Sequence, residues 1–320
     1  MSQKNSIKAT VFIPVYNGEN DHLEDTLTAL FSQNTTFNWN VLIIDSGSKD
    51  RSIDIINEFK NKNKNLVFKQ IPNSEYSHGG TRQKAAEMSD GEIMVYLSQD
   101  AIPANDNWLS EMVEPFDISE RVAAVLGRQI PRPTCFPLQK YDIISVFRHQ
   151  GVDEAITLYD KNSPNYDVAT FYSDVCSAAR RSVLISDTPY RNISYAEDQA
   201  FGRDIINNGY IKAYAGRGVV IHSNDIKLHE YRGRIIDETM GLEKAGVKIS
   251  KPSLRDLFRG VIKSAFKDII MTIRDHNYSL KRKIYYVVTA PLFRYYRWSG
   301  ARLAYVEKTN LSLERSKKDA

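Results

Sequence analysis

Short β-branched apolar runs alternate with helical patterns from the start of this chain, and that alternation constrains the fold most. Residues 8–14 (KATVFIP), 40–45 (NVLIID), 66–71 (LVFKQI) and 92–100 (EIMVYLSQD) read as strands. The first is a short β-branched apolar run ending at Pro14, which reads as a strand buried on both faces of a parallel sheet. Between them, residues 20–33, 50–60 and 80–89 carry apolar side chains at helical spacing, such as Leu23, Leu27, Leu30 and Phe31. The order predicts an α/β fold: a mostly parallel central sheet, Rossmann-like, flanked by helices and joined by right-handed crossovers. In such a sheet ligands bind beyond the carboxyl ends of the strands. Those ends carry Pro14-Val15-Tyr16-Asn17, Asp45-Ser46-Gly47-Ser48 and Ser98-Gln99-Asp100.

Further on, 122–129 (VAAVLGRQ) reads as another strand, 141–168 as a long, weakly patterned excursion, and 218–223 (GVVIHS) as a last strand. SYAEDQAFGRDIINNGY at 194–210 is a loop entering a helix. Residues 254–273 place Leu254, Leu257, Phe258, Val261, Ile262, Ala265, Phe266, Ile269, Ile270 and Ile273 on one helical face. The chain therefore divides into a body, 1–250, and a helical C-terminal extension, 251–320.

Charge sharpens that division. The 43 basic and 39 acidic residues give a net charge of +4. Residues 251–320 hold 16 basic and 6 acidic residues, a net of +10, which leaves the body at −6. Within the tail, KRKIYYVVTAPLFRYYRWSGARLAY (281–305) interleaves aromatic and basic side chains. Such a segment suits an anionic membrane surface or single-stranded nucleic acid. It also suits a helical dimer or domain contact. No RNA-binding signature accompanies it, so nucleic acid is not expected. Nor is a secretory signal or an apolar run of spanning length visible. Cys135 and Cys176 lack metal-ligand or catalytic spacing and read as structural. Neither the GxGxxG nor the phosphate-loop pattern occurs, which disfavours a dinucleotide-dependent oxidoreductase and a P-loop kinase.

FIPVYN, IDSGSKD, HGGTRQ, YLSQDA, AEDQ and IHS follow one another along residues 12–223. This ordered set resembles family 2 glycosyltransferases of the GT-A fold, and looks closest to bacterial rhamnosyltransferases of polysaccharide synthesis. The resemblance covers about residues 8–235. It implies an inverting glycosyltransferase that moves a sugar, with L-rhamnose from dTDP-rhamnose favoured, onto a lipid-linked oligosaccharide acceptor. The two cysteines suit a reducing, cytoplasmic compartment, and the basic tail suits a peripheral place on the inner face of the cell membrane, with a homodimer as a further option.

Residue by residue, the resemblance gives Asp45 to the nucleotide base, with Pro14, Tyr16, Asn17, Ser46, Arg82 and Gln99 lining the same pocket. Ser48 or Asp50 would cap the following helix and leave Asp45 free. Alternatively Asp45 is itself the cap. The glycines after His78 would let the backbone approach a ligand. Arg82 is otherwise a surface ion pair, and His78 a residue of the helix start. Asp100, the surviving member of an Asp-x-Asp whose first position is Ser98, would hold a divalent metal, Mg²⁺ or Mn²⁺, with His222. A helix cap and a satisfied histidine are the alternatives. Asp198 would be the general base and Glu197 its orienting neighbour, although acids in first helical turns are common. A sugar-nucleotide pyrophosphorylase and a non-catalytic member of a polysaccharide assembly complex are the competing functions.

Overall fold

A computed structural model describes residues 6–193, 195–224 and 226–307. Strands β1 (Ala9–Val15), β2 (Trp39–Asp45), β3 (Leu66–Gln70), β4 (Ile93–Leu97), β5 (Ile102–Pro103), β6 (Val122–Ile130), β7 (Ile156–Tyr159), β8 (Cys176–Arg180) and β9 (Ile211–Ile221) form one sheet. Its order is β3-β2-β1-β4-β8-β6-β9-β5, with β7 also on β9. Helices α1 (Leu23–Phe31), α2 (Ser52–Lys62), α3 (His78–Met88), α4 (Trp108–Val113), α5 (Pro137–Arg148), α6 (Tyr166–Thr170), α7 (Arg181–Ser186) and α8 (Glu197–Asn207) connect the strands. After β9 come α9 (Leu228–Lys244), α10 (Leu254–Asp256), α11 (Lys263–Arg274) and α12 (Leu280–Glu307).

Strands β1 to β4 pair in parallel, as the buried apolar runs predict. The antiparallel pairs β4–β8 and β8–β6, followed by parallel β6–β9, give β6 and β9 the direction of β4. Six strands thus point one way, and β5, β7 and β8 point the other. This reversal positions the site. The carboxyl ends of β1, β2, β4 and β9 lie along one edge of the sheet, and the amino end of β8 joins them there.

The chain divides into two compact units. The first comprises Met1–Ile130, Ile143–Asn192 and Glu197–His222, and holds the whole sheet. One face of the sheet buries Val11, Ile13, Val41 and Val95 with Leu23, Leu27 and Trp108. The other buries Phe12, Leu42, Met94, Tyr96 and Tyr214 with Phe201 and Ile205. The second unit comprises Pro131–Asp142, Ile193–Ala196 and Ser223–Ala320. Phe136, Leu138, Tyr231, Ile235 and Phe293 are its core.

Two stretches differ from the sequence reading. The excursion over 141–168 contains α5, β7 and α6. Residues 254–273 are one helical course, but a π-helical turn over Leu257–Ile262 separates α10 from α11. The widened turn includes Gly260, whose absent side chain leaves open space.

Candidate active site

The register of the parallel strands builds the first part of the site. Val15 pairs with Asp45 at the shared carboxyl ends of β1 and β2. The chain beyond them is knitted together by short polar side chains. The amide of Ser46 donates to the Val15 carbonyl at 2.9 Å. The amide of Asn17 donates to Ser48 Oγ at 2.8 Å, and that of Lys49 to Asn17 Oδ1 at 2.9 Å. Asn17 itself takes a positive φ of 48°, which asparagine tolerates better than most residues. From the end of β4, Gln99 reaches across. Its Oε1 accepts the Tyr16 amide at 2.9 Å, and its Nε2 donates to the Tyr16 carbonyl at 3.3 Å. Tyr16, Asn17, Ser46 and Gln99 are therefore brought together. Pro14 is half-buried inside β1, paired with Ile44, one residue before the buried Val15 that ends the strand.

Asp45 lies differently. It is completely buried. Its carboxylate accepts the amides of Gly47 and Ser48 at 3.0 and 3.1 Å, and the Ser48 hydroxyl as well. The sequence reading gives the cap of the following helix to Ser48 or Asp50. Asp50 does serve the start of α2, accepting the Ser52 amide at 3.0 Å. Asp45 is nevertheless consumed by its own turn, because Gly47, with φ 92°, folds two amides back onto it.

Asp100 and His222 form the second part. His222 follows β9, whose last residue pairs with Ile130 of β6, so the imidazole arrives at the edge where β4 ends. His222 Nε2 lies 3.2 Å from Asp100 Oδ2, and both side chains are buried. His222 Nδ1 is also buried and has no hydrogen-bond partner among the described residues. No cluster of three or more His, Cys, Asp or Glu able to hold a metal occurs among the described residues. What the pair offers is a hard carboxylate beside a nitrogen ligand. That suits a cation whose remaining ligands are phosphate oxygens and water.

The third part is a buried charge cluster. Glu197 and Asp198 open α8. Arg82 on α3 places Nη1 2.7 Å from Glu197 Oε1 and Nε 3.0 Å from Asp174 Oδ2. Asp174, immediately before β8, also accepts the hydroxyls of Ser177 and Tyr190 at 2.7 and 2.8 Å. Its own amide approaches Asp198 Oδ2 at 3.4 Å. Burial pushes the carboxyls of Asp174 and Glu197 up, against the pull of Arg82. Asp198 is raised well above the ordinary carboxylate range by burial, then by the charges of Glu197 and Asp174. A carboxyl raised this way is a stronger proton acceptor than one in water. Its first-turn position is the one the sequence reading gives it.

Arg82 is not a surface ion pair, since only 8% of its side chain is exposed. Nor does it face open nucleotide space here, because Asp174 and Glu197 occupy its guanidinium. The glycines before it are likewise filled by the chain. A Cβ on Gly79 would stand 2.0 Å from the Arg191 carbonyl and 3.3 Å from Glu197 Cβ. Gly79 thus lets α3 approach the segment that carries Glu197, and places Arg82 about one turn further along. Asp174 is absent from the sequence reading. Its only sequence signal is a single carboxylate inside the apolar ATFYSDVCSA.

The glycosyl transferase family 2 profile matches residues 10–186. The chain belongs to glycosyl transferase family 2. It is 30% identical over 240 residues to the O-antigen chain rhamnosyltransferase RfbN of Salmonella typhimurium, covering 72% of this chain and 71% of that one. Against the O-antigen chain rhamnosyltransferase WbaN of Salmonella anatum the identity is 33% over 221 residues, 68% and 66% of the two chains. Among solved structures, the mannosyltransferase PcManGT of Pyrobaculum calidifontis, in complex with GDP-Man and Mn²⁺, matches with a TM-score of 0.58 at 17% identity. That match covers 94% of this chain and 88% of the other. TarS 1–349 of S. aureus, in complex with UDP-GlcNAc, gives 0.54 at 16% identity over 96% and 93%. Both matches show the GT-A fold. As a family 2 member the chain is a glycosyltransferase. Its matched region begins in β1 and ends in α7, so it includes Asp100 and Asp174 and stops before Asp198 and His222.

Proposed function

We propose that this chain is an inverting rhamnosyltransferase of polysaccharide synthesis, with Asp198 as general base. One observation carries the reading. Loops from β1, β2 and β4, the Asp100–His222 pair and the raised Asp198 carboxyl all lie on one edge of one sheet. Two sequence matches, both O-antigen chain rhamnosyltransferases, support rhamnose as the sugar; dTDP-rhamnose is the proposed donor. A lipid-linked oligosaccharide is the proposed acceptor, met at the inner face of the cell membrane.

In this reading Tyr16, Asn17, Ser46 and Gln99 form the nucleotide-facing rim. Asp45 holds the rim's shape from beneath. Asp100 and His222 would hold Mg²⁺ or Mn²⁺, which, when bound, neutralises charge on the leaving diphosphate. Asp198 takes the proton from the acceptor hydroxyl. The oxygen forms its bond to the anomeric carbon as the bond to the diphosphate oxygen breaks, and the electron pair leaves with the nucleoside diphosphate. One displacement inverts the anomeric centre. Glu197, held by Arg82, fixes the first turn of α8 and with it the direction of Asp198.

The test is a panel of nucleotide sugars, each offered with Mg²⁺, with Mn²⁺ and with chelator. Thermal stabilisation and slow metal-dependent hydrolysis should be strongest with dTDP-rhamnose. Preference for a uridine diphosphate hexose would overturn the donor and spare the fold. Absence of turnover with every donor would overturn the catalytic reading.

A further inference from the structure

The basic tail turns inward. Arg294 makes a two-point ion pair with the buried Asp268, at 2.6 and 2.7 Å. Arg297 pairs with Asp142 at 2.5 Å. Arg282, Lys283 and Arg302 each donate to a backbone carbonyl at 2.7 Å, those of Thr134, Ile273 and Pro252. These cations of 281–305 are spent inside the second unit. The aromatic–basic segment that the sequence offers to a membrane is in large part its internal scaffold.

Leu280, Ile284, Val288 and Leu292 of α12 remain exposed, and a second exposed apolar row, with cations beside it, lies one helix earlier. Phe258, Ile262 and Phe266 are 67%, 64% and 65% exposed, and Leu254 and Ile273 are exposed as well. Steps of four, four, four and seven residues keep these five on one helical face. Each is followed directly by a basic residue: Arg255, Arg259, Lys263, Lys267 and Arg274. One residue is about 100° around an α-helix, so along α11 Lys263, Lys267 and Arg274 stand beside the apolar row. Arg255, Lys263, Lys267 and Arg274 are exposed and make no ion pair among the described residues. The opposite side, Ala265, Asp268 and Thr272, is buried. No helix among the described residues is long and apolar enough to cross a membrane.

We propose that residues 254–274 dock flat in the interfacial layer of an anionic lipid bilayer. Leu254, Phe258, Ile262, Phe266 and Ile273 enter the acyl boundary, and Lys263, Lys267 and Arg274 rest on headgroup phosphates. A row of apolar side chains flanked by a row of cations is the arrangement of a helix lying in that layer. Charge decides against a second copy of the chain. A self-complementary contact through this face would crowd two uncompensated rows of like charge, whereas anionic lipid neutralises them. The proposal rests on the membrane-facing part of the function above, and gives the contact a specific segment, 254–274.

The test is co-flotation of the full-length protein with phosphatidylcholine vesicles, with and without phosphatidylglycerol. The chain should float with the anionic vesicles. Phe258→Glu combined with Phe266→Glu should weaken partitioning at least about a hundredfold. Lys263→Gln combined with Lys267→Gln should weaken it about 25-fold, about fivefold per cation, on anionic vesicles alone. Unchanged donor hydrolysis would show that each variant's body is folded. Equal flotation of the Phe variant and the parent would overturn the proposal. So would a stable dimer in solution that the Phe variant converts to monomer while neither floats. Intact flotation without donor hydrolysis would strike the transferase reading and leave this one standing.

Discussion

Replacing Arg82 with Gln isolates what holds the carboxyl cluster in place. The guanidinium meets Glu197 at 2.7 Å and Asp174 at 3.0 Å, with side-chain exposures of 8% or less on all three. At an effective dielectric of about 20, each attraction is about 5–6 kcal/mol. Most of this offsets the cost of removing three charges from water. Removing one partner of such a cluster then costs about 3–5 kcal/mol, because the charges left behind are buried and uncompensated. For a body of this size that is a fall in Tm of about 10 °C. The loss depends on pH, and its sign follows from protonation. Without Arg82, Glu197 and Asp174 titrate still further above their ordinary range of about 4. The folded variant therefore binds protons that the unfolded chain does not, and its stability falls as pH rises through that window. Urea unfolding from pH 5 to pH 8 should show the gap between parent and variant widest at the alkaline end and narrowing on acidification. The acid limb of turnover should also move to higher pH, because Asp198 loses the charge of Arg82 that pulls its carboxyl down. A gap under about 1 kcal/mol, or one that stays constant or grows on acidification, would refute the reasoning.

Other perturbations address other parts of the structure. Gly79→Ala drives a Cβ against the Arg191 carbonyl and should lower stability by about 1–3 kcal/mol in urea unfolding. Asp100→Asn and His222→Ala should each raise the metal concentration for half-maximal donor hydrolysis by about tenfold or more, read by Mn²⁺ titration. Lys212 is buried and held by Gln150 Oε1 and the carbonyls of Val168 and Phe171 at 2.8–3.1 Å, and burial pushes it down to about 7. Its folded value lies below its unfolded one of about 10.4, so it contributes a gain in stability as pH rises above 7. Lys212→Met should remove that gain, visible in urea midpoints between pH 7 and pH 9.

The parts of the fold legible in sequence are those where local pattern and tertiary environment agree. Strands β1, β2 and β4 are buried on both faces, so their apolar runs announce them, and ligand-facing loops follow at their ends. Asp174 was hidden because it stands at the start of a strand. Only the antiparallel insertion of β8 brings that start to the carboxyl edge, and reversal of one strand leaves no local trace. The hydrogen bonds of Asp45 to its own turn are not legible, because they depend on the positive φ of Gly47. The tail misled for a similar reason. Its arginines find Asp142 and Asp268, one of them more than a hundred positions away in sequence, and a pattern of charges does not show which ones will be paired.

The central claim is that Asp198 accepts the acceptor's proton during transfer. The most direct measurement is the rate of sugar transfer by Asp198→Asn, with donor affinity measured alongside by calorimetry. Asparagine keeps the side chain's size and removes its basicity. Transfer should fall by about 10²–10⁴-fold with donor affinity unchanged. Near-parental transfer by this variant would contradict the account.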